Sequence, residues 1–393
     1  MTKKRITVVG RGTAGSQAIA HFLRYMSDFE IVWAYDPSTP TQSVGEGSTL
    51  NLPRNMYHGL GFYPSDLPKV NGTIKTGIYK ENWGTKQESF FHDFPAPQVS
   101  YHFSATELQN YIYEEVKGKV NILEESVDVY NADSTFVFNA SGTPKTFEDF
   151  NISEYIPLNA AYIVQSPWDG PKFNYTLTIA RKHGWVFGIP LQNRCSIGYM
   201  YNKDISTEEE IQEDIQEILD RYGLTPNKEP NKLEFKNYYR KQNYEAGGSL
   251  IHSGNSSFFL EPLEATSIGT MDRIQRAAFD IWSGNKSHHQ ANGEYLEFLH
   301  QIELIIMLHY AAGSPFKTPF WEFAQERGVQ KIKDSANDIQ FKNTYELVKQ
   351  IPEMRFAPTP ENFPDYGPWW SGAFVQNLTN LGLYPIMDSI FKN

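Results

Sequence analysis

Two lysines, Lys75 and Lys80, lie close together in the segment NGTIKTGIYKENW, residues 71–83. A lysine amine is a nucleophile only after it loses its proton, and an exposed lysine with a pKa of about 10.4 is only about 0.04% neutral at pH 7. Burial can lower that pKa by several units. The segment alternates like one strand with the two lysines on opposite faces, so the local pattern predicts a solvated surface position for each.

A glycine-rich turn near the start of the chain has the spacing of a dinucleotide-binding motif. Gly10, Gly12 and Gly15 fit GxGxxG between a strand-like run and a helical run. Such glycines let the backbone approach a pyrophosphate, and the helix N-terminus then faces the negative charge. Asp36 ends the next strand, where an acid accepts a ribose hydroxyl. The pattern predicts a dinucleotide site; the alternative is a glycine turn in a nucleotide-free α/β domain.

Two further segments favour FAD over NAD as the dinucleotide. VGEGSTLNLP (44–53) and FNASG (138–142) are typical of flavoproteins in which a late strand ends in a glycine turn beside the cofactor. A second GxGxxG for NAD(P)H does not follow in the sequence. We therefore expect that any bound FAD is reduced elsewhere.

The elements that position these residues predict an α/β fold. RITVVG (5–10), the helix after it and FEIVWAYD (29–36) form a βαβ unit that opens a parallel, doubly wound sheet. Residues 134–142 predict another apolar strand, and residues 174–202 predict antiparallel strands. From about residue 270 onward the pattern is mainly helical.

The clearest predicted helix covers residues 204–223, where Thr207 and Glu210 can form a capping box. We expect an FAD-binding, glutathione-reductase-like domain over residues 1–270, with interleaved antiparallel strands on the substrate side. A mostly helical substrate or cap region follows over residues 271–393.

Composition narrows the classes of partner. The 393 residues carry a net charge of −11, which argues against nucleic acid and against an anionic membrane surface as partners. We expect no signal peptide and no transmembrane helix, because no run approaches ~20 apolar residues. The single cysteine, Cys195, fits a reducing cytoplasm. We expect no metal site, because His288 and His289 are adjacent in a polar loop.

Four segments together resemble the flavin-dependent halogenases of the tryptophan-halogenase type. They are GWVFGIPLQNR (184–194), NSSFFLEPLEATSIG (255–269), HYAAGSPFKTPFW (309–321) and FVQNLTNLGLYP (374–385). The first is similar to the family signature WxWxIP. Together with the glycine motif at residues 10–15, these segments span nearly the whole chain, which makes the combination specific.

The resemblance implies an enzyme that uses reduced FAD and oxygen to oxidise halide to hypohalous acid. A separate NAD(P)H-dependent flavin reductase would supply the reduced FAD by diffusion. The acid would reach Lys75, which either becomes a haloamine or holds the acid by a hydrogen bond next to a small, electron-rich aromatic substrate, phenol- or indole-like. A homo-oligomer is left open.

The resemblance also assigns individual residues. Glu264 matches the family's glutamate, and halide would lie near Thr266 and Ser267. Trp185 and Pro190 would wall the flavin from the substrate. The other positions that match flavin contacts are Gly12, Thr13, Ala14, Glu46, Gly47, Asn255 and Ile268.

Several departures from the family pattern bear on specificity. Phe187 replaces the second Trp of the signature, Ala265 stands where a serine is frequent, and Ser267 stands where glycine is frequent. We therefore expect bromide or iodide, as well as chloride, as the halide. The chain looks shorter than typical members, which implies a more open site and a substrate other than free tryptophan.

Three alternatives stay open from the residues. A close Lys75–Glu264 pair would favour the hydrogen-bonding role of the lysine, whereas desolvation of Lys75 would favour the haloamine. A flavin-dependent aromatic hydroxylase, or a non-catalytic FAD-binding relative, would share the fold. Asp365 and the aromatic residues Tyr366, Trp369 and Trp370 either line a substrate pocket or form an aromatic C-terminal cap.

Overall fold

The computed structural model describes residues 4–40, 45–95, 97–350 and 365–392. The β-strands are β1 Arg5–Val9, β2 Glu30–Ala34, β3 Gly45–Gly47, β4 Thr73–Lys75, β5 Gly77–Glu81, β6 Ser89–Asp93, β7 Ser100–Ser104, β8 Asn121–Leu123, β9 Phe136–Asn139, β10 Phe150–Ile152, β11 Ala160–Pro167, β12 Thr176–Arg181, β13 Gly184–Pro190, β14 Arg194–Tyr201, β15 Asn231–Glu234, β16 Tyr238–Arg240, β17 Tyr244–Glu245, β18 Leu250–His252 and β19 Phe258–Phe259. The α-helices are α1 Thr13–Tyr25, α2 Asn51–Leu60, α3 Ala105–Val116, α4 Glu208–Tyr222, α5 Thr266–Trp282, α6 His288–Ala312, α7 Pro319–Asp334, α8 Ile339–Gln350, α9 Ser371–Leu381 and α10 Tyr384–Phe391.

The first sheet is the predicted doubly wound sheet. Its strand order is β17-β18-β9-β1-β2-β8, and β1 pairs in parallel with both β2 and β9. Val9 lies opposite Asn139 at the ends of β1 and β9. The turns that follow these two strands therefore meet at one edge of the sheet, which is where ligands bind in open α/β sheets.

A second sheet contains the predicted antiparallel strands. Its order is β15-β11-β14-β13-β12-β5-β6, with β12, β13 and β14 paired antiparallel and β12 parallel to β5. Helix α4 packs on this sheet through an apolar stripe that includes Ile211 and Ile215. The predicted capping box of Thr207 and Glu210 is present at its start.

The segment 71–83 does not form the single strand that its alternation predicts. It divides into β4, in a three-stranded sheet of order β3-β7-β4, and β5, in the seven-stranded sheet. Thr76 lies between them, and its backbone N–H donates to the carbonyl of Asn174 at 2.8 Å. Because the two strands belong to different sheets, the alternation along the segment does not decide which side chains are buried.

The C-terminal part is helical, as predicted. Residues 302–312 of α6 are all buried, and α6 packs closely along α7. Within the described residues, no helix combines the length and the apolar character needed to cross a bilayer. The division of the chain at residue 270 stays a prediction; α5 runs across that position.

Candidate active site

The glycine turn after β1 has space where a pyrophosphate would bind. A Cβ on Gly10, which has φ +108°, would overlap the carbonyl oxygen of Ala140, and a Cβ on Gly15 would overlap the carbonyl oxygen of Gly10. These two glycines therefore let the turn pack closely. A Cβ on Gly12 would meet nothing within 4 Å, and Gly12 directly precedes the N-terminus of α1. The turn fits the phosphates of a dinucleotide.

Glu46 is brought to the start of α1. The Thr13 hydroxyl donates to Glu46 Oε1 at 3.0 Å. Burial raises the pKa of Glu46 to about 7, against the effect of that hydrogen bond. A carboxyl with this raised pKa would repel a phosphate less at neutral pH than an ordinary glutamate would.

The other residues matched to flavin contacts come from distant parts of the chain. The short 3-10 helix Gly254–Ser256 abuts α1, because a Cβ on Gly254 would lie 2.8 Å from the Cβ of Ala14. Asn255 belongs to that turn, and its side-chain amide donates to the Thr143 hydroxyl at 3.4 Å. Ile268 is buried in the first turn of α5.

Asp36 lies just beyond β2 and already has three donors. It accepts from the backbone N–H and hydroxyl of Ser38 at 2.8 and 2.6 Å, and from the Ser126 hydroxyl at 3.0 Å. These hydrogen bonds lower the pKa of Asp36. Its predicted contact with a ribose stays a prediction.

Lys75 is buried, so the surface position that the local pattern predicts is wrong. Its side chain is at the end of β4, the residue is 1% exposed, and Nζ donates to the carbonyl of Ser48 at 3.2 Å. The ring of Phe94 lies 5.5 Å from Nζ. Desolvation lowers the pKa of Lys75 to about 8; Glu264 opposes the shift and Lys80 adds to it.

Lys80 is also buried, and the surface position predicted for it is wrong as well. It is fully buried on β5 and forms an ion pair with Glu264 Oε1. Its ammonium also contacts His309 Nε2 and Asn377 Oδ1, each at 2.6 Å. The close lysine partner of Glu264 is therefore Lys80 on β5.

The carboxylate of Glu264 is held on both oxygens. Trp369 Nε1 donates to Oε2 at 2.8 Å, and His92 Nδ1 lies 3.3 Å from the same oxygen. His309 Nε2 lies 3.3 Å from Oε1. Burial would raise the pKa of Glu264, but the charge of Lys80 and the two imidazoles hold it well below its usual range. Trp369 is thus part of a buried polar cluster.

Backbone strain occurs directly before α5, where the halide residues are predicted. Glu264 and Ala265 have φ of +70° and +54°, a conformation that non-glycine residues adopt at an energetic cost. Thr266 and Ser267 are the first two residues of α5. Their backbone N–H groups therefore belong to the unpaired donors of a helix N-terminus, which attract anions.

Strand β13 connects the tryptophan signature to the strand of Lys75. Trp185 is buried, with its ring centroid 6.3 Å from that of Trp83 and 6.2 Å from that of Phe187. The carbonyl of Pro190 accepts from the Thr73 hydroxyl at 2.6 Å. Thr73 lies two residues before Lys75 on β4, so the end of β13 fixes the position of that strand.

Comparisons with known proteins identify the family of the chain. A family profile described as tryptophan halogenase matches residues 5–135 and 143–354. The chain belongs to the tryptophan halogenase family. Membership in this family makes the chain a halogenase-family enzyme.

One curated relative is distant in sequence but aligns with nearly all of this chain. Tryptophan 7-halogenase RebH of Lentzea aerocolonigenes is 23% identical over 489 aligned positions, covering 97% of this chain and 90% of the relative. Because this chain has only 393 residues, it lacks segments that the relative has.

Solved structures with the same fold include two halogenases. Tryptophan halogenase from Shewanella frigidimarina NCIMB 400 superposes with a TM-score of 0.78 at 16% identity, over 99% of this chain and 93% of the other. Xcc4156, a flavin-dependent halogenase from Xanthomonas campestris, superposes with a TM-score of 0.77 at 17% identity, over 99% and 92%. At these identities the likeness shows the fold.

Sequence reasoning missed the polar cluster around Glu264. Lys80 is separated from Glu264 by 184 residues and from Asn377 by 297. His92, His309 and Asn377 stand on three further elements. No local pattern could connect them; the family motif singles out only Glu264 of this cluster, as a predicted site residue.

Proposed function

We propose that this halogenase uses reduced FAD, oxygen and halide to halogenate a small, electron-rich aromatic substrate, and that Lys75 is the residue that delivers the halogen. The observation that carries the proposal is the environment of Lys75. Its amine is desolvated, and its one hydrogen-bond acceptor among the described residues is the neutral carbonyl of Ser48.

The glycine turn and its neighbours would hold the FAD. Gly12 leaves space at the N-terminus of α1 for the pyrophosphate, and Thr13 and Glu46 line the same end of the sheet. When bound and reduced, FAD supplies the activation of oxygen that oxidises halide. The backbone donors at the start of α5, at Thr266 and Ser267, would bind the halide.

Lys75 acts on the hypohalous acid as a neutral amine in this proposal. The amine nitrogen attacks the halogen, the oxygen–halogen bond breaks, and the released hydroxide takes the amine proton to form water. The low pKa of Lys75, about 8, makes the neutral form accessible near neutral pH. The alternative, a charged lysine beside a carboxylate, is not favoured because Glu264 is paired with Lys80.

The shorter chain suggests the class of substrate, and the residues near the start of α5 suggest which halides are used. We expect a phenol- or indole-like substrate other than free tryptophan, and activity with bromide or iodide as well as chloride, because Ala265 and Ser267 alter the halide surroundings. A separate flavin reductase would deliver the reduced FAD.

The test is an assay with the protein, FAD, a flavin reductase and NADH. Chloride, bromide and iodide are supplied in turn with a panel of phenols and indoles, and products are read by mass spectrometry. We expect a halogen mass shift with at least one halide and none without halide. Oxygenated product that forms without halide would indicate a hydroxylase, and flavin binding without any product would indicate a non-catalytic protein.

A further inference from the structure

The side chain of Lys80 has one acceptor for each proton of its ammonium. These acceptors are Glu264 Oε1, His309 Nε2 and Asn377 Oδ1. His309 is fixed as an acceptor because its Nδ1 contacts the carbonyl of Ile305 at 2.9 Å and must carry the ring proton to donate there. Burial lowers the pKa of Lys80, but the Glu264 carboxylate opposes that shift. The complete set of acceptors stabilises the charged form of Lys80.

The same contacts hold the Glu264 carboxylate in place. Lys80 binds one oxygen and Trp369 donates to the other at 2.8 Å. The backbone of Glu264 is in the left-handed region at φ +70°, and the residue lies before the start of α5. Lys75 has no contact with a carboxylate among the residues that the structure describes.

We propose that Lys80 is a positioning residue of this halogenase: it binds the Glu264 carboxylate and offsets its charge, so that Glu264 contacts Lys80 instead of Lys75 and Lys75 can act as a neutral amine. The inference rests on the proposed function of Lys75. It adds a residue to the site that acts through Glu264, without contact to the reacting atoms.

The ion pair of Lys80 with Glu264 matters for Lys75 because of the charges that surround the two lysines. The titratable groups that face them are Glu264, His92, His102 and His309. Burial lowers the pKa of all three histidines, so near pH 8 they are neutral. Glu264 is then the negative charge that could stabilise a protonated Lys75, and Lys80 neutralises it.

Loss of the Lys80 charge should strengthen the effect of the Glu264 carboxylate on Lys75, because Lys80 then neither offsets that carboxylate nor repels the Lys75 ammonium. A buried carboxylate without a partner is costly, and Lys75 is the cation that remains coupled to it. An opposite charge within about 4–6 Å shifts a pKa by about 1–3 units toward the charged form, which for a lysine is a rise. Lys80→Met should therefore make Lys75 retain its proton at neutral pH.

The experiment measures the ionisation of Lys75 without turnover. The protein is labelled with lysine carrying ¹³C at Cε, and the Lys75 signal is assigned by its absence in Lys75→Met. We expect a titration midpoint of about 8 in the unchanged protein. In Lys80→Met and in Lys80→Gln we expect a midpoint that is higher by about 1–3 pH units. The matched control is Lys86→Met, which removes an exposed lysine bound to the carbonyl of Thr379 and should leave the midpoint unchanged.

An unchanged or lower Lys75 midpoint in folded Lys80→Met would overturn the proposal. If the single variants do not fold, Lys80→Met combined with Glu264→Gln removes both charges. The Lys75 midpoint should then stay low, and a rise would contradict an effect that acts through Glu264. Because the titration does not depend on product formation, failure of this inference is distinguishable from failure of the proposed halogenation, which the product assay reads.

Discussion

At the scale of single residues, the burial of Lys75 predicts the pH dependence of halogenation. Its pKa is lowered to about 8, so the neutral fraction of the amine grows as pH rises, reaches one half at that pKa and is nearly complete well above it. We expect the single-turnover rate of halogenation to rise by about tenfold per pH unit below that value and to level off above it.

This pH profile is read by quenched-flow product formation with pre-reduced FAD. Lys75→Arg is the control, because an arginine stays charged throughout the range and should lose the rising limb together with most of the activity. A rate that does not change between about pH 6 and about pH 9 in the unchanged protein would contradict the neutral-amine role.

Glu264 predicts a second residue-scale effect, on stability. Its pKa is held well below the usual range, so its stabilising charge is fully present at pH 7 and is lost only as pH falls through that low value. Glu264→Gln leaves the buried Lys80 ammonium without its counter-ion, and we expect a loss of about 3–5 kcal/mol in the free energy of unfolding at pH 7.

Urea unfolding followed by tryptophan fluorescence measures that loss. The control is Glu217→Gln, whose carboxylate pairs with Arg181 but is 58% exposed, so its removal should cost about 0–1 kcal/mol. Equal losses in the two variants would show that the buried pair is not the stabilising element assigned here.

At the scale of elements, two glycines of the turn between β1 and α1 have different predicted roles: Gly15 allows close packing, and Gly12 leaves space for the cofactor. A Cβ on Gly15 meets the backbone of Gly10, whereas a Cβ on Gly12 meets open space. We expect Gly15→Ala to lower stability by about 1–3 kcal/mol through overpacking. Gly12→Ala should leave stability within about 0.5 kcal/mol and weaken FAD binding by about tenfold, because the methyl group occupies the pyrophosphate space.

Thermal unfolding and FAD fluorescence titration measure the two effects independently. Gly118→Ala is the control, since its Cβ meets nothing within 4 Å and Gly118 lies after α3, away from the turn. A Gly12 variant that binds FAD with unchanged affinity would contradict the assignment of the pyrophosphate to this turn.

Elements with a local signal could be predicted from the sequence, and contacts between them could not. Periodicity and capping residues are local, so β1, α1, β2 and the capping box of Thr207 are as predicted. The same reasoning predicts one continuous strand over residues 71–83. The strand is instead interrupted at Thr76, which bonds to the carbonyl of Asn174, 98 residues away along the chain. Because of this interruption, Lys75 and Lys80 lie on strands of two different sheets, and both side chains are buried.

At the scale of the whole molecule, the site lies between the sheets and the C-terminal helices. Lys80 and His92 come from neighbouring strands, His309 from α6 and Asn377 from α9. The ion pair with Glu264 therefore exists only after these elements have packed together. Family motifs could identify Glu264 and Lys75, but the pairing of Glu264 with Lys80 is a property of the assembled fold.

We also expect that product formation by the whole chain depends on FAD that has been reduced elsewhere. Its sequence has one GxGxxG motif, so we expect no product from FAD and NADH alone. FAD reduced chemically under anaerobic conditions, then mixed with oxygen, halide and substrate, should give product without a reductase. Mass spectrometry of both reactions checks this, and equal product yields with NADH alone would indicate that the chain reduces FAD itself.

The most direct measurement of the central claim compares halogenated product with flavin reoxidation in Lys75→Met and Lys86→Met. Both variants remove one lysine, but only Lys75 is buried beside the proposed site. With pre-reduced FAD, oxygen and halide, both variants should reoxidise the flavin at the rate of the unchanged protein. We expect Lys86→Met to form product normally and Lys75→Met to lose product by at least about 100-fold, the scale of a lost catalytic group. Equal product from the two variants would contradict the role of Lys75 in halogenation.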